Sequence, residues 1–133
     1  MTGTSLSPVT AEELVEALRL EEPSLRTDAS GGWRAQYSYD ASNYRVPPLA
    51  VAFPATADEV AAAHRVCHRL GVPVTVRGAG TSMAGNALGT GLVLDLSRHM
   101  RRVLEIDPSA RTARVEAGIV LDDLQAAVAP HGL

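Results

Sequence analysis

The 133-residue chain contains no lysine, and all twelve of its basic residues are arginine. A P-loop nucleotide site, which needs a lysine directly after its glycine-rich turn, is thereby excluded. The single cysteine, Cys67, allows no internal disulfide, which suits a reducing compartment. Aromatic residues are scarce, with one Trp, one Phe and three Tyr, so a core must come mainly from Val, Leu and Ala. No apolar run reaches the ~20 residues of a membrane span. The opening residues lack the basic start and apolar stretch of a signal peptide. The arginines are scattered and the net charge is −3, which argues against nucleic acid as a partner. The expected compartment is the cytoplasm, with peripheral docking on a membrane through a partner left open.

What is present reads as alternating helix and strand. Thr10, with Glu13 three residues on, forms a capping box for a helix over 11–20, whose face is Leu14, Val15 and Leu18. Residues 21–48 read as irregular. The run 49–53, closed by Pro54, reads as a buried strand. Thr56 and Glu59 make a second capping box, and the helix after them carries Val60, Ala63, Cys67 and Leu70 on one stripe until Gly71 stops it. Residues 72–76 form the next strand, so the two strands flanking the helix are expected to run parallel. A glycine-rich loop over 77–91 leads to a third strand at 92–96. Residues 103–107 and 112–116 flank a Pro108-Ser109-Ala110-Arg111 turn and read as a hairpin. A short helix over 121–129 follows. This set leaves strand edges and apolar faces uncovered, so the chain is expected to be the beginning of a longer protein. The expected division is a lead-in over 1–46 and a domain over 47–133.

The loop carries the chemistry. Arg77, Gly78, Ala79, Gly80, Thr81, Ser82, Met83, Ala84, Gly85 and Asn86 directly follow a strand. Small residues let a backbone approach a ligand, and successive N–H groups can converge on an anion. Thr81 and Ser82 add hydroxyls, and Arg77 adds a fixed positive charge. These are the parts of a phosphate cradle. It is not a Rossmann fingerprint, because Met83 stands where the third glycine belongs. Nor is it a G-x-S-x-G elbow, because Ala84 occupies the last position, which leaves a hydrolase using Ser82 as a minor alternative. A bulky residue at Gly80 is expected to enter the phosphate space. Asn86 either caps the loop or touches the ligand.

Other candidates read more plainly. His64 and His68 lie one helical turn apart beside Cys67, but no third ligand is visible, and no metal site is expected. Asp122 and Asp123 read as helix-capping acids, and Arg98, Arg101 and Arg102 as a solvated connector.

Several motifs recur in one order. They are Val51-Ala52-Phe53-Pro54 with Asp58-Glu59-Val60, then Val76-Arg77-Gly78-Ala79-Gly80-Thr81-Ser82, then Gly91-Leu92-Val93-Leu94-Asp95-Leu96-Ser97-Arg98, and finally Glu116-Ala117-Gly118. With them the run 49–133 resembles the FAD-binding domain of the vanillyl-alcohol oxidase / p-cresol methylhydroxylase superfamily. It is most similar to the FAD-linked oxidase branch containing D-lactate, glycolate and D-2-hydroxyglutarate dehydrogenases. The resemblance implies an α+β fold of the p-cresol methylhydroxylase (PCMH) type. In it a small parallel βαβ subdomain is complete, and a second, antiparallel subdomain is begun and cut short. It implies that Arg77, Gly78, Ala79, Gly80, Thr81, Ser82, Gly85 and Asn86 hold the FAD pyrophosphate, with Gly118 near the flavin. Members with a histidyl-linked flavin carry His where Thr81 stands, so non-covalent FAD is implied. No residue here is expected to be catalytic, since the residues that handle a hydroxyacid substrate and pass electrons to an acceptor would lie beyond Leu133. The phrase Thr81-Ser82-Met83-Ala84-Gly85-Asn86-Ala87, with Tyr39-Asp40-Ala41-Ser42-Asn43-Tyr44, is also similar to a subgroup fused to a C-terminal iron–sulfur module. The remaining alternative is a phosphate-binding module without catalysis of its own.

Overall fold

The computed structural model describes residues 8–133. Residues 1–7, most of the opening stretch used to argue against a signal peptide, lie outside the described residues. The first helix, α1 (Ala11–Glu21), opens on the expected reciprocal box: the Thr10 hydroxyl accepts from the Glu13 amide at 3.2 Å, and the Glu13 carboxylate accepts from the Thr10 amide at 2.8 Å. Leu14 and Leu18 fall on one face and are fully buried.

Four strands form the main sheet: β1 (Arg26–Asp28), β2 (Ala50–Phe53), β3 (Val74–Arg77) and β4 (Leu92–Asp95), in the order β1-β2-β4-β3. The expected parallel pairing holds, but β2 and β3 are not neighbours; each pairs in parallel with β4, which lies between them. Every residue of β2 and β4 is buried. Ala50, Ala52, Leu92 and Leu94 face one core with Leu14, Leu18, Ala63, Val66 and Cys67, while Val51, Phe53 and Val93 face the other with Tyr37. Burial on both faces explains why these strands read as continuous apolar runs.

Helix α3 (Ala57–Leu70) crosses from β2 to β3 and packs against α1. Its buried face is Ala62, Ala63, Val66 and Cys67, while His64 and His68 are exposed. Among the described residues no cluster of His, Cys, Asp or Glu is arranged to hold a metal. The second capping box is only half formed. Thr56 caps the Glu59 amide at 3.2 Å, but the buried Glu59 carboxylate accepts instead from the Ala55 amide at 2.6 Å and the Ser24 hydroxyl at 2.7 Å. It thereby ties the start of α3 to the turn after α1.

The stretch 21–48 departs from expectation. It supplies β1, which pairs antiparallel with β2 (Thr27 opposite Ala52), and a short helix, α2 (Gly31–Gln36), which covers the second face of the sheet. Trp33 holds α2 in place by packing edge-on to Phe53 at 5.0 Å between centroids, and the Arg34 Nε donates to the Pro48 carbonyl at 2.7 Å. An aromatic pair of this geometry adds about 0.5–1.5 kcal/mol beyond its buried area.

The expected hairpin forms as β5 (Val103–Asp107) and β6 (Thr112–Val115). Asp107 holds the turn by accepting from the Ser109 and Ala110 amides, and Arg111 takes a left-handed conformation at φ 56°. The last helix, α4 (Leu121–Val128), carries Asp122 and Asp123 in its first turn, where its dipole favours acids. They are not caps, for Val120 holds that position without a side-chain bond. Among the described residues no helix is long and apolar enough to cross a membrane.

Candidate functional site

Parallel strands bring the chemistry of this chain to one edge. Arg77 ends β3, Asp95 ends β4, and the two are register partners. Ligands of parallel sheets characteristically sit beyond these carboxyl ends. Here the loop leaves β3, turns back on itself and re-enters the sheet at Leu92. Two depressions flank it. One, of about 410 Å³, is lined by Tyr37, Arg77, Gly78, Ala79, Asp95, Ser97 and Arg98, among others. The other, of about 240 Å³, follows the loop from Val76 to Ser82 and then Asn86 and Ala87. A larger hollow of about 650 Å³ lies at the opposite end, around Leu49, Leu70, Val72 and Pro73. Its lining is mainly apolar, and it offers no array of amides for an anion.

The loop itself has free donors. Among the described residues, no backbone amide over 78–85 donates to another protein group; beyond them the Asn86 amide donates to the Ser82 hydroxyl at 3.1 Å and the Leu88 amide to the Gly85 carbonyl at 3.2 Å. Gly80 and Gly85 take left-handed conformations, at φ 76° and 80°, which fold the loop back and which L-residues rarely adopt. Runs of unpartnered amides in such a fold make anion-binding concavities. Thr81, Met83 and Asn86 are exposed, and Ser82 is half-buried. Ser82 Oγ accepts from the Asn86 amide, and among the described residues no imidazole or carboxylate bonds to it, so the arrangement of an activated nucleophile is not formed.

Beneath the loop lies Arg77. Its Nη1 donates to the Tyr39 carbonyl at 3.1 Å and to the Ala87 carbonyl at 3.5 Å, and its guanidinium carbon sits 4.9 Å from the Tyr37 ring centre. Its Nε is buried without a partner among the described residues. No carboxylate pairs with it there either, although the nearby Asp40 senses its charge. The Asp40 carboxyl is held below its ordinary range first by hydrogen bonding from Ser42, with smaller contributions that include the Ala87 backbone and Arg77. A positive charge without an ion-pair partner, under a run of free amides, fits a phosphate or pyrophosphate group and would repel a cation. The residues present therefore fit the anionic centre of a dinucleotide.

Two of the expected site glycines lie against protein atoms. A side chain at Gly80 would first meet Arg77, whose Nη2 lies 1.8 Å from the Cβ position, rather than open phosphate space. Gly118 is buried against the turn after β4. Its Cβ position lies 2.0 Å from the Leu96 carbonyl oxygen, and its amide donates to the Met100 carbonyl at 2.9 Å. Close backbone packing accounts for this glycine.

A second wall of the site escapes sequence reasoning. Tyr37, from the end of α2, donates its hydroxyl to the buried Asp95 carboxylate, which also accepts from the Ser97 amide and hydroxyl at 2.8 and 2.6 Å. Burial first, and the Asp95 bond second, push the Tyr37 phenol up. Arg98 lies 3.5 Å from Asp95 and stacks over Trp33 at 4.7 Å and Phe53 at 4.8 Å. It is thus part of this wall rather than a solvated connector, and Arg102 is likewise engaged, with Glu116. The available signal was Asp95 itself, for a carboxylate ending a buried apolar strand must find partners.

Fold and site together define a mixed α/β module that offers a backbone anion cradle at the carboxyl edge of a parallel sheet, as nucleotide-binding proteins do. The chain belongs to the FAD-binding domain family, whose model matches residues 48–133. It is 42% identical over 127 residues to D-2-hydroxyglutarate dehydrogenase of Pseudomonas putida, covering 91% of this chain and 12% of that protein. It is 39% identical over 132 residues to the glycolate oxidase subunit GlcD of Escherichia coli, covering 97% of this chain and 26% of that one. The chain thus spans about a quarter or less of these curated relatives. The solved structure of p-cresol methylhydroxylase shares the fold, with a TM-score of 0.72 at 18% identity over 92% of this chain and 25% of that one. Xylooligosaccharide oxidase from Myceliophthora thermophila aligns with a TM-score of 0.68 at 26% identity, over 88% of this chain and 25% of the other. The expected α+β fold of the PCMH type is borne out.

Proposed function

We propose that this chain holds the pyrophosphate of non-covalent FAD in a flavin-dependent dehydrogenase acting on a D-2-hydroxyacid. The observation that carries this reading is the run of free amides over 78–85 above an arginine that has no ion-pair partner. In it, the amides of Gly78, Ala79, Gly80 and Gly85 and the hydroxyls of Thr81 and Ser82 hold the phosphates, Asn86 closes the loop, and Arg77 sets the charge. Gly118, packed against the turn after β4, lies near the flavin. The loop contains no imidazole or thiol to which a flavin could be linked. The chemistry such a cofactor supplies is acceptance of a hydride from a hydroxyl-bearing carbon. No residue of this chain is assigned to handle the substrate.

The hydroxyacid class rests on the names of the two relatives, D-2-hydroxyglutarate dehydrogenase and glycolate oxidase. An iron–sulfur cluster in a C-terminal module is a further part of the proposal, the lead-in over 1–46 and the domain over 47–133 are the proposed division, and the cytoplasm is the proposed compartment. The test is to express the complete reading frame and record its visible absorbance before and after acid precipitation, then on adding D-lactate, glycolate or D-2-hydroxyglutarate. Flavin released by acid and bleached by one of these acids supports the proposal, and iron in the same preparation supports the cluster. Bound flavin that no hydroxyacid bleaches would leave a binding module without catalysis. A colourless folded product would overturn the FAD assignment.

A further inference from the structure

Arg77 bonds to two pieces of backbone and lies against a third. Nη1 reaches Tyr39 in the lead-in and Ala87 at the far end of the loop, while Nη2 fills the space against Gly80 at the loop's turn. The lead-in touches the loop at two further points. The Ala41 amide donates to the Gly80 carbonyl at 3.0 Å, and the Tyr44 ring lies 2.9 Å from where a Gly85 Cβ would stand. The guanidinium therefore has Nη1 committed to two carbonyls, its carbon over the Tyr37 ring and Nη2 against Gly80. A planar cation fixed by two carbonyls and an aromatic face is a stiff strut, because little side-chain freedom remains to it.

From this arrangement we infer that Arg77 is a positioning residue: it shapes the cradle by clamping the loop to the 39–44 segment, and it does not ligate the phosphate. The inference rests on reading the loop as the cradle, but its test needs no cofactor. A side chain at position 80 would displace the strut, in addition to straining a backbone at φ 76°.

Amide hydrogen exchange on the cofactor-free protein tests it. The Ala41 and Leu88 amides report the clamp, because they donate to the Gly80 and Gly85 carbonyls. In Arg77→Met their exchange should rise on the order of tenfold, the cost of one or two lost hydrogen bonds. Gly80→Ala, which expels the guanidinium while keeping Arg77, should give the same signature. Arg77→Lys should not restore protection, because an ammonium keeps the charge but lacks the planar fork. Val93 and Leu94 in β4 serve as controls and should be unchanged. Unaltered exchange at Ala41 and Leu88 in Arg77→Met, or full recovery in Arg77→Lys, would overturn the inference. Should Arg77→Met lose protection at β4 as well, Arg77→Lys decides alone: lost protection at Ala41 and Leu88 with β4 intact supports the clamp, and full protection overturns it. Failure of FAD binding in the full protein would leave this result standing, so the two readings fail separately.

Discussion

The Tyr37 hydroxyl donates to the Asp95 carboxylate, both residues being buried, and so fastens the end of α2 to the carboxyl end of the central strand. Replacing Tyr37 with Phe leaves that carboxylate oxygen with only the 3.5 Å contact to Arg98. The expected loss is about 1–3 kcal/mol in urea unfolding, the cost of stranding a buried acceptor. The same pair gives an alkaline limit. The folded phenol titrates above its ordinary 10.0, so its contribution is complete below that pH and is lost as pH rises through the raised folded value. Phenolate absorbance should develop late for one tyrosine of the wild type. An early, uniform titration with unchanged stability in Tyr37→Phe would contradict this pairing.

Gly118 and Gly80 should fail differently. A Cβ at Gly118 meets the backbone of Leu96 and Met100, which cannot rotate away. Gly118→Ala should therefore cost about 1–3 kcal/mol of stability, equally with and without cofactor. Gly80→Ala meets the movable end of Arg77 and should chiefly alter the loop. Thermal melts of both variants, with and without FAD, separate the two cases.

Glu116 holds the start of the hairpin to its return. Its buried carboxylate accepts from the Arg102 amide at 2.8 Å and from the Arg102 guanidinium at 3.0 and 2.7 Å. These bonds, the side-chain ones first, lower its pKa below 4.5. Its contribution is therefore present above about pH 4.5 and is lost as pH falls through the lower folded value. Glu116→Gln should lower Tm by a few degrees at neutral pH and flatten the acid limb of the Tm–pH curve. An acid limb identical to the wild type would exclude this ion pair as a cause.

The strands and the glycine-rich loop were legible because each leaves a mark on the sequence. Double-sided burial writes unbroken apolar runs into β2 and β4, and close backbone folding writes glycines into the loop. By contrast, Arg26, Thr27 and Asp28 carry no apolar alternation, and α2 opens on two glycines, which are poor helix formers. Both elements depend on tertiary partners, β1 on the free edge of β2 and α2 on the packing of Trp33 against Phe53. For the same reason the Tyr37–Asp95–Arg98 wall was missed, since Tyr37 lies 58 residues from Asp95 and the two meet only once the sheet has formed. Arg77 was legible as a charge beside the cradle, but its position beneath the loop depends on Tyr39 and Ala87, which no local pattern connects to it.

The most direct test of the cradle is a nitrogen–proton correlation spectrum of the protein titrated with ADP, which carries the pyrophosphate and half of the dinucleotide. Saturable shifts concentrated in the amides of residues 78–86 are the predicted result. No saturable shifts, or shifts gathered instead around Leu49, Leu70 and Pro73, would contradict it.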